Sequence, residues 1–91
     1  MSDLEDSSRP RLSTGCRWAG KDENRMLVFP EGALRLQPTA RAILELCDGE
    51  RTFEQIVQKL ESTYSASDPV RIRQDATAFL ERLQRKRLVD F

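Results

Sequence analysis

Hydrophobic and polar positions alternate along the first third of the chain, then recur at helical spacing almost to its end. In residues 26–36, Met26, Leu27, Val28 and Phe29 lead into Pro30-Glu31-Gly32, and Leu34 and Leu36 follow. This pattern predicts two short strands joined by a tight turn. Pro30 presets φ at the second turn position and Gly32 accepts φ > 0, the chemistry of a type I turn followed by a left-handed residue. Leu34 and Leu36 alternate with Ala33 and Arg35, so one face of the strand is buried and the other wet. Residues 11–18 alternate more loosely, with Leu12, Thr14, Cys16 and Trp18 on one side of a regular strand and Gly15 as a candidate bulge. Residues 19–24 are charged and contain Gly20 and Asn24, which predicts an exposed hairpin loop. The expectation is an antiparallel meander with strands over 11–18, 25–29 and 33–36.

At Pro38 the period changes. Ala40, Ile43, Leu44 and Cys47 fall at i, i+3, i+4 and i+7, and Asp48-Gly49 supplies a glycine stop, which predicts a first helix of about ten residues. Thr52 and Gln55 have the spacing of a capping box, so a second helix begins at Phe53. Phe53, Ile56, Val57, Leu60 and Tyr64 form its apolar stripe, and Ser65-Ala66-Ser67 ends it. Asp68-Pro69 then offers an N-cap and a proline in the first helical turn. The third helix is predicted from Pro69 to about Lys86, with Ile72, Ala76, Phe79, Leu80 and Leu83 as its buried stripe. Arg82, Arg85 and Lys86 complement the negative end of its dipole. Leu88, Val89 and Phe91 predict an extended tail returning to the core. Residues 1–9 are polar and acidic with one apolar side chain beyond Met1, which predicts a frayed tail ahead of a single domain over 10–91.

The fold class expected is α+β and winged-helix-like, a three-stranded antiparallel sheet followed by a three-helix bundle. The strand over 33–36 is short and closed by Pro38. If it is last in its sheet, its unpaired backbone N–H and C=O groups can accept an extended peptide.

Ninety-one residues make one small domain, of a size that buries only about 60–68% of its unfolded surface, too little for a deep catalytic pocket. Lys plus Arg and Asp plus Glu are fifteen each, and the sequence pI is about 6.3. The average field therefore offers no attraction to nucleic acid or to an anionic bilayer, and any such contact needs a local patch. No apolar run approaches the length of a membrane span and the N-terminus lacks a signal-peptide layout, so a cytoplasmic location is expected. The chain has no histidine, which excludes histidine-dependent catalysis. Cys16 and Cys47 are far apart with no metal-ligand spacing and are read as free thiols. Acidic residues lie beside Lys and Arg as on a solvated face, and no Gly-rich phosphate loop is present. No active site, metal or cofactor is expected.

The residues Arg17-Trp18, Leu27-Val28-Phe29-Pro30-Glu31-Gly32, Leu36, Thr39-Ala40, Ile43-Leu44, Leu46-Cys47-Asp48-Gly49-Glu50-Arg51-Thr52 and Ile56 together resemble the PqqD family of pyrroloquinoline quinone (PQQ) biosynthesis. The resemblance covers residues 10–90 and rests on Pro-Glu-Gly after a hydrophobic strand and Cys-Asp-Gly before the second helix, in that order and at that separation. The chain departs from the family at Gln37, where an asparagine cap is usual, and at Ser13-Thr14-Gly15, near where Pro-Gly is common. The resemblance implies a non-catalytic peptide chaperone that needs no cofactor. Such a chaperone binds the leader of a PqqA-like ribosomal precursor peptide and presents it to a PqqE-like radical S-adenosylmethionine (SAM) enzyme, which joins a glutamate and a tyrosine side chain. It further implies that the leader adds as a strand beside the third strand and lies against the third helix. The peptide-binding residues expected are then Ala33, Leu34, Arg35 and Leu36 on the strand and Asp75, Phe79, Arg82, Leu83 and Lys86 on the helix. From the residues alone, Phe79 and Leu83 also fit the core, Trp18 fits either an interaction anchor or an aromatic lid, and Tyr64 fits the core edge. The alternatives are a winged-helix DNA-binding regulator, which the balanced charge opposes, and a dimerisation module. Monomer and exchanged dimer both remain open.

Overall fold

The computed structural model describes residues 4–21 and 24–91. Asp22 and Glu23, part of the expected hairpin loop, and the first three residues of the expected tail lie outside the described residues. The central sheet is an antiparallel meander of β2 (Arg17–Ala19), β3 (Met26–Phe29) and β4 (Gly32–Arg35), in the order β2-β3-β4. The pairing sets Trp18 opposite Leu27 and Leu27 opposite Leu34, which turns one row of apolar side chains toward the helices. Leu27 is fully buried at the centre of that row. Gly32 pairs with Phe29 as the first residue of β4, so only Pro30 and Glu31 lie between the paired strands. Gly32 takes the positive φ that the turn chemistry calls for, at 157°, although well beyond the usual left-handed helical value of about 60°.

The predicted strand over 11–18 is two strands in two sheets. β1 (Arg11–Leu12) pairs with β5 (Val89–Asp90), and the chain turns at Ser13–Gly15 before joining the meander as β2. Gly15 at φ 96° is a turn residue and not a bulge, closed by the Cys16 N–H donating to the Ser13 carbonyl at 3.0 Å. A tertiary partner fixes the break: Leu88 O accepts from the Ser13 N–H at 3.0 Å and from the Cys16 thiol at 3.6 Å. The C-terminal tail does return to the core, with Leu88 and Val89 buried.

Three helices cover one face of the meander. α1 (Pro38–Glu45) is eight residues long, shorter than predicted, and Gln37 caps it without a side-chain hydrogen bond. It stops at Leu46 because Asp48 and Gly49 are drawn into a loop against the N-terminal segment, with Gly49 N–H donating to Pro10 O at 3.0 Å and Asp48 bridging Arg11. Within that loop the Asp48 carboxylate accepts from the Arg51 and Glu50 N–H groups, in that order of effect, which holds its pKa below the ordinary value.

α2 (Phe53–Thr63) opens with the expected capping box, Thr52 and Gln55 exchanging hydrogen bonds at 3.2 and 2.9 Å. Its two other leading donors, Phe53 N–H and Glu54 N–H, bond to Ser8 O at 2.7 Å and Asp6 O at 3.1 Å. Residues 4–9, whose composition predicts fraying, therefore lie along the start of α2, where helix donors need acceptors. Arg73 adds an ion pair to Asp6 at 2.6 Å while stacking on the Phe53 ring, and Leu4 packs on the core.

α3 (Pro69–Arg85) starts at the predicted Asp68 cap, which accepts from Val70 N–H at 3.0 Å. Ile56, Val57 and Leu60 of α2 and Ala76, Leu80 and Leu83 of α3 interlock with Leu44 and Leu27 in one core. Trp18 is half-buried against that core as a lid, with the Arg25 guanidinium 4.5 Å from its ring and Arg25 itself ion-paired to Glu45. Cys16 and Cys47 are free thiols, as expected. No helix among the described residues is long and apolar enough to cross a membrane.

Candidate functional site

β4 is the last strand of the meander, and no strand pairs with its outer edge among the described residues. The edge is short because Pro38 opens α1 three residues after Arg35. Beside it runs a groove of about 390 Å³ bounded by Leu34, Arg35 and Leu36 on one side and Asp75, Phe79 and Arg82 of α3 on the other. Gln37, Thr39, Ala40 and Ile43 close the groove between them. A smaller pocket of about 200 Å³ continues it past Thr39, Ile43 and Asp75 toward Tyr64 and Ile72.

The side chains divide as their periodicity demands. Leu36 is buried at 9% exposure and Leu34 is half-buried, whereas Ala33 and Arg35 are exposed. On α3, Ile72, Asp75, Phe79 and Arg82 follow one another at i, i+3, i+7 and i+10, a line down the flank of the helix beside its buried stripe. Phe79 on this line is half-buried and Arg82 lies 5.7 Å from its ring, so the apolar wall ends in a positive charge. Asp75 pairs with Arg71 at 3.8 Å, an exposed contact of little energetic weight. Arg35 and Arg82 form no ion pair with any described residue, which leaves two cations on opposite sides of the groove.

The structure thus brings together Leu34, Arg35, Leu36, Asp75, Phe79 and Arg82 around the groove, with Ala33 on the same edge. Leu83 does not border it: at 1% exposure it belongs to the centre of the buried stripe, with Ala76 and Leu80. Lys86 is the exposed C-cap of α3 and also lies outside the lining. Sequence reasoning missed the part played by α1. Ala40 and Ile43 read as ordinary core positions there, and only the small side chains at Thr39 and Ala40 hint at the space above them. A strand laid against β4 would place alternate side chains in the groove and the rest in solvent. Among the described residues no group of three or more His, Cys, Asp or Glu is placed to hold a metal ion.

Known proteins share this architecture. The family model described as coenzyme PQQ synthesis protein D (PqqD) matches residues 25–89. The PqqA binding protein of Stutzerimonas stutzeri is 34% identical over 83 residues, which are 89% of this chain and 88% of that one. The solution NMR structure of the PqqD part of Methylobacterium extorquens PqqCD represents a functional, stand-alone recognition element for ribosomally synthesised and post-translationally modified peptides. It superposes with a TM-score of 0.78 at 34% identity, over 97% of this chain and 95% of that one. TbiB1 in complex with the TbiA(beta) leader peptide superposes at 0.77 over 88% of this chain and 94% of that one; at 24% identity the likeness is one of fold. With the meander, the three helices and the family pattern over 25–89 all in agreement, the chain belongs to the PqqD family.

Proposed function

We propose that the chain is a peptide chaperone of PQQ biosynthesis, which binds the leader of a PqqA-type precursor peptide as an added strand on β4 and presents it to a PqqE-type radical SAM enzyme. Catalysis is left to that enzyme. The observation that carries this reading is the unpaired edge of β4 beside a groove walled by Phe79 and Arg82. The PqqA-binding relative and the leader-peptide complex of the TbiB1 fold support it.

An added strand gains backbone hydrogen bonds of about 1 kcal/mol net each, and its alternate apolar side chains fill the groove. Ordering a flexible leader costs on the order of 2–5 kcal/mol, so binding settles in the micromolar range. Arg35 and Arg82 draw carboxylates of the peptide to the groove and speed encounter more than they tighten the complex.

The test is an NMR titration with a PqqA-type peptide. Amide shifts are expected at Ala33, Leu34, Arg35 and Leu36 and along Asp75, Phe79 and Arg82, and duplex DNA at moderate salt is expected to shift none of them. Shifts with DNA and silence with peptide would reverse the reading. Arg35→Pro removes a β4 N–H and should weaken peptide binding about tenfold or more while the fold survives. Unchanged affinity in the folded variant would refute strand addition.

A further inference from the structure

The groove beside β4 differs at its two ends. Where β4 gives way to α1 it opens into the smaller pocket of about 200 Å³, and Thr39, Ile43 and Asp75 line both cavities. Buried Ile43 and Leu60 and half-buried Tyr64 and Ile72 give that pocket apolar walls where α1, α2 and α3 meet. A cavity below the roughly 300–1,000 Å³ of small-molecule sites holds a single large side chain, and these walls suit an aliphatic or aromatic one. Arg71 and Asp75, also in the lining, pair with each other and leave this end without net charge.

The other end is cationic. Arg82 lines the groove but not the pocket, and it forms no ion pair with any described residue. A carboxylate of a bound peptide is therefore drawn to the Arg82 end. Helical rise puts Arg82 about 15 Å along α3 from Ile72. An extended chain covers that length in about four residues, an even number that returns a side chain to the same face. The meander is antiparallel throughout, and antiparallel pairing is the more stable per residue, so a strand added to β4 runs from the pocket toward Arg82.

We infer that the pocket between α1, α2 and α3 is a specificity site for one large aliphatic or aromatic side chain of the bound peptide, and that Arg82 receives a carboxylate about four residues C-terminal to it. The inference rests on the strand addition proposed above. The domain then reads a spaced pair of side chains in one order, in addition to the peptide backbone.

The test is calorimetry with the full chain and an alanine scan of a PqqA-type precursor peptide. Losses of about tenfold should concentrate at one large apolar residue and at an acidic residue about four positions after it. Ser67, exposed in the pocket lining, allows the cavity to be filled from its rim. Ser67→Trp should weaken the unmodified peptide about tenfold, and the peptide already cut to alanine at the apolar residue by about twofold or less. Ile72→Ala, which strips one wall, takes its place should Ser67→Trp fail to fold. Arg82→Glu should reproduce the loss at the acidic position, and a peptide with lysine there should regain affinity for this variant alone. Losses without such a pair, the pair in the opposite order, or wild-type affinity in the folded pocket variant overturns the inference. The β4 amides separate two failures: shifts at Ala33, Leu34, Arg35 and Leu36 without the residue pair sink the pocket assignment alone, whereas silence there removes strand addition and the pocket assignment together.

Discussion

Arg87 has φ 61°, the one positive φ among the described residues other than glycine. It sits just past the Lys86 cap of α3, with its N–H donating to Gln84 O at 2.9 Å and the Leu88 N–H donating to Leu83 O at 2.9 Å. This is the Schellman arrangement, in which the left-handed position is normally glycine. The arginine Cβ crowds its own backbone there at a cost of roughly 1–2 kcal/mol. Arg87→Gly should therefore raise unfolding stability by about 0.5–1 kcal/mol in urea titrations, after the extra flexibility glycine gives the unfolded chain is deducted. A loss of stability would mean that the arginine side chain contributes more than its backbone costs. The turn itself was invisible in the sequence, because no glycine or asparagine marks it.

At the scale of elements, what could be read from the sequence was local. The capping box at Thr52 and Gln55, the Asp68 cap and the apolar stripes of α2 and α3 depend on residues within a few positions of one another, and each stands where the pattern puts it. What depends on distant partners was not legible. The break at Ser13–Gly15 is set by Leu88, the early end of α1 by Pro10 and Arg11, and the placement of residues 4–9 by two orphan donors of α2. The groove divides in the same way: its β4 and α3 walls follow from alternation and helical period, while its α1 side follows from how three helices meet. Leu83 shows the limit of spacing alone, since i+4 from Phe79 puts it on the neighbouring line of the helix, one step deeper. Thr52→Ala removes half of the capping box and should cost about 1 kcal/mol by denaturant unfolding. Gln55 N–H is the donor left without its acceptor. A cost near zero would mean that Ser8 and Asp6, on the neighbouring donors, already hold the start of α2.

For the molecule as a whole, stability at alkaline pH reports on the core. Burial, and then the nearby Asp48 charge, push the Cys47 thiol from 9.0 to about 12, and its Sγ donates to Ile43 O at 3.3 Å. The folded-state pKa is raised, so the neutral thiol's contribution is fully present below pH 9 and is lost as pH climbs toward 12, while the unfolded chain already ionises. The urea midpoint should fall across that window, and Cys47→Ala should show a shallower fall. Equal slopes in both proteins would assign the alkaline loss to other groups.

The pairing of β1 with β5 sets Arg11 beside Asp90, although they lie near opposite ends of the sequence. Residues from the two ends of the sequence thus brace each other, and loosening either strand frees the backbone of the other.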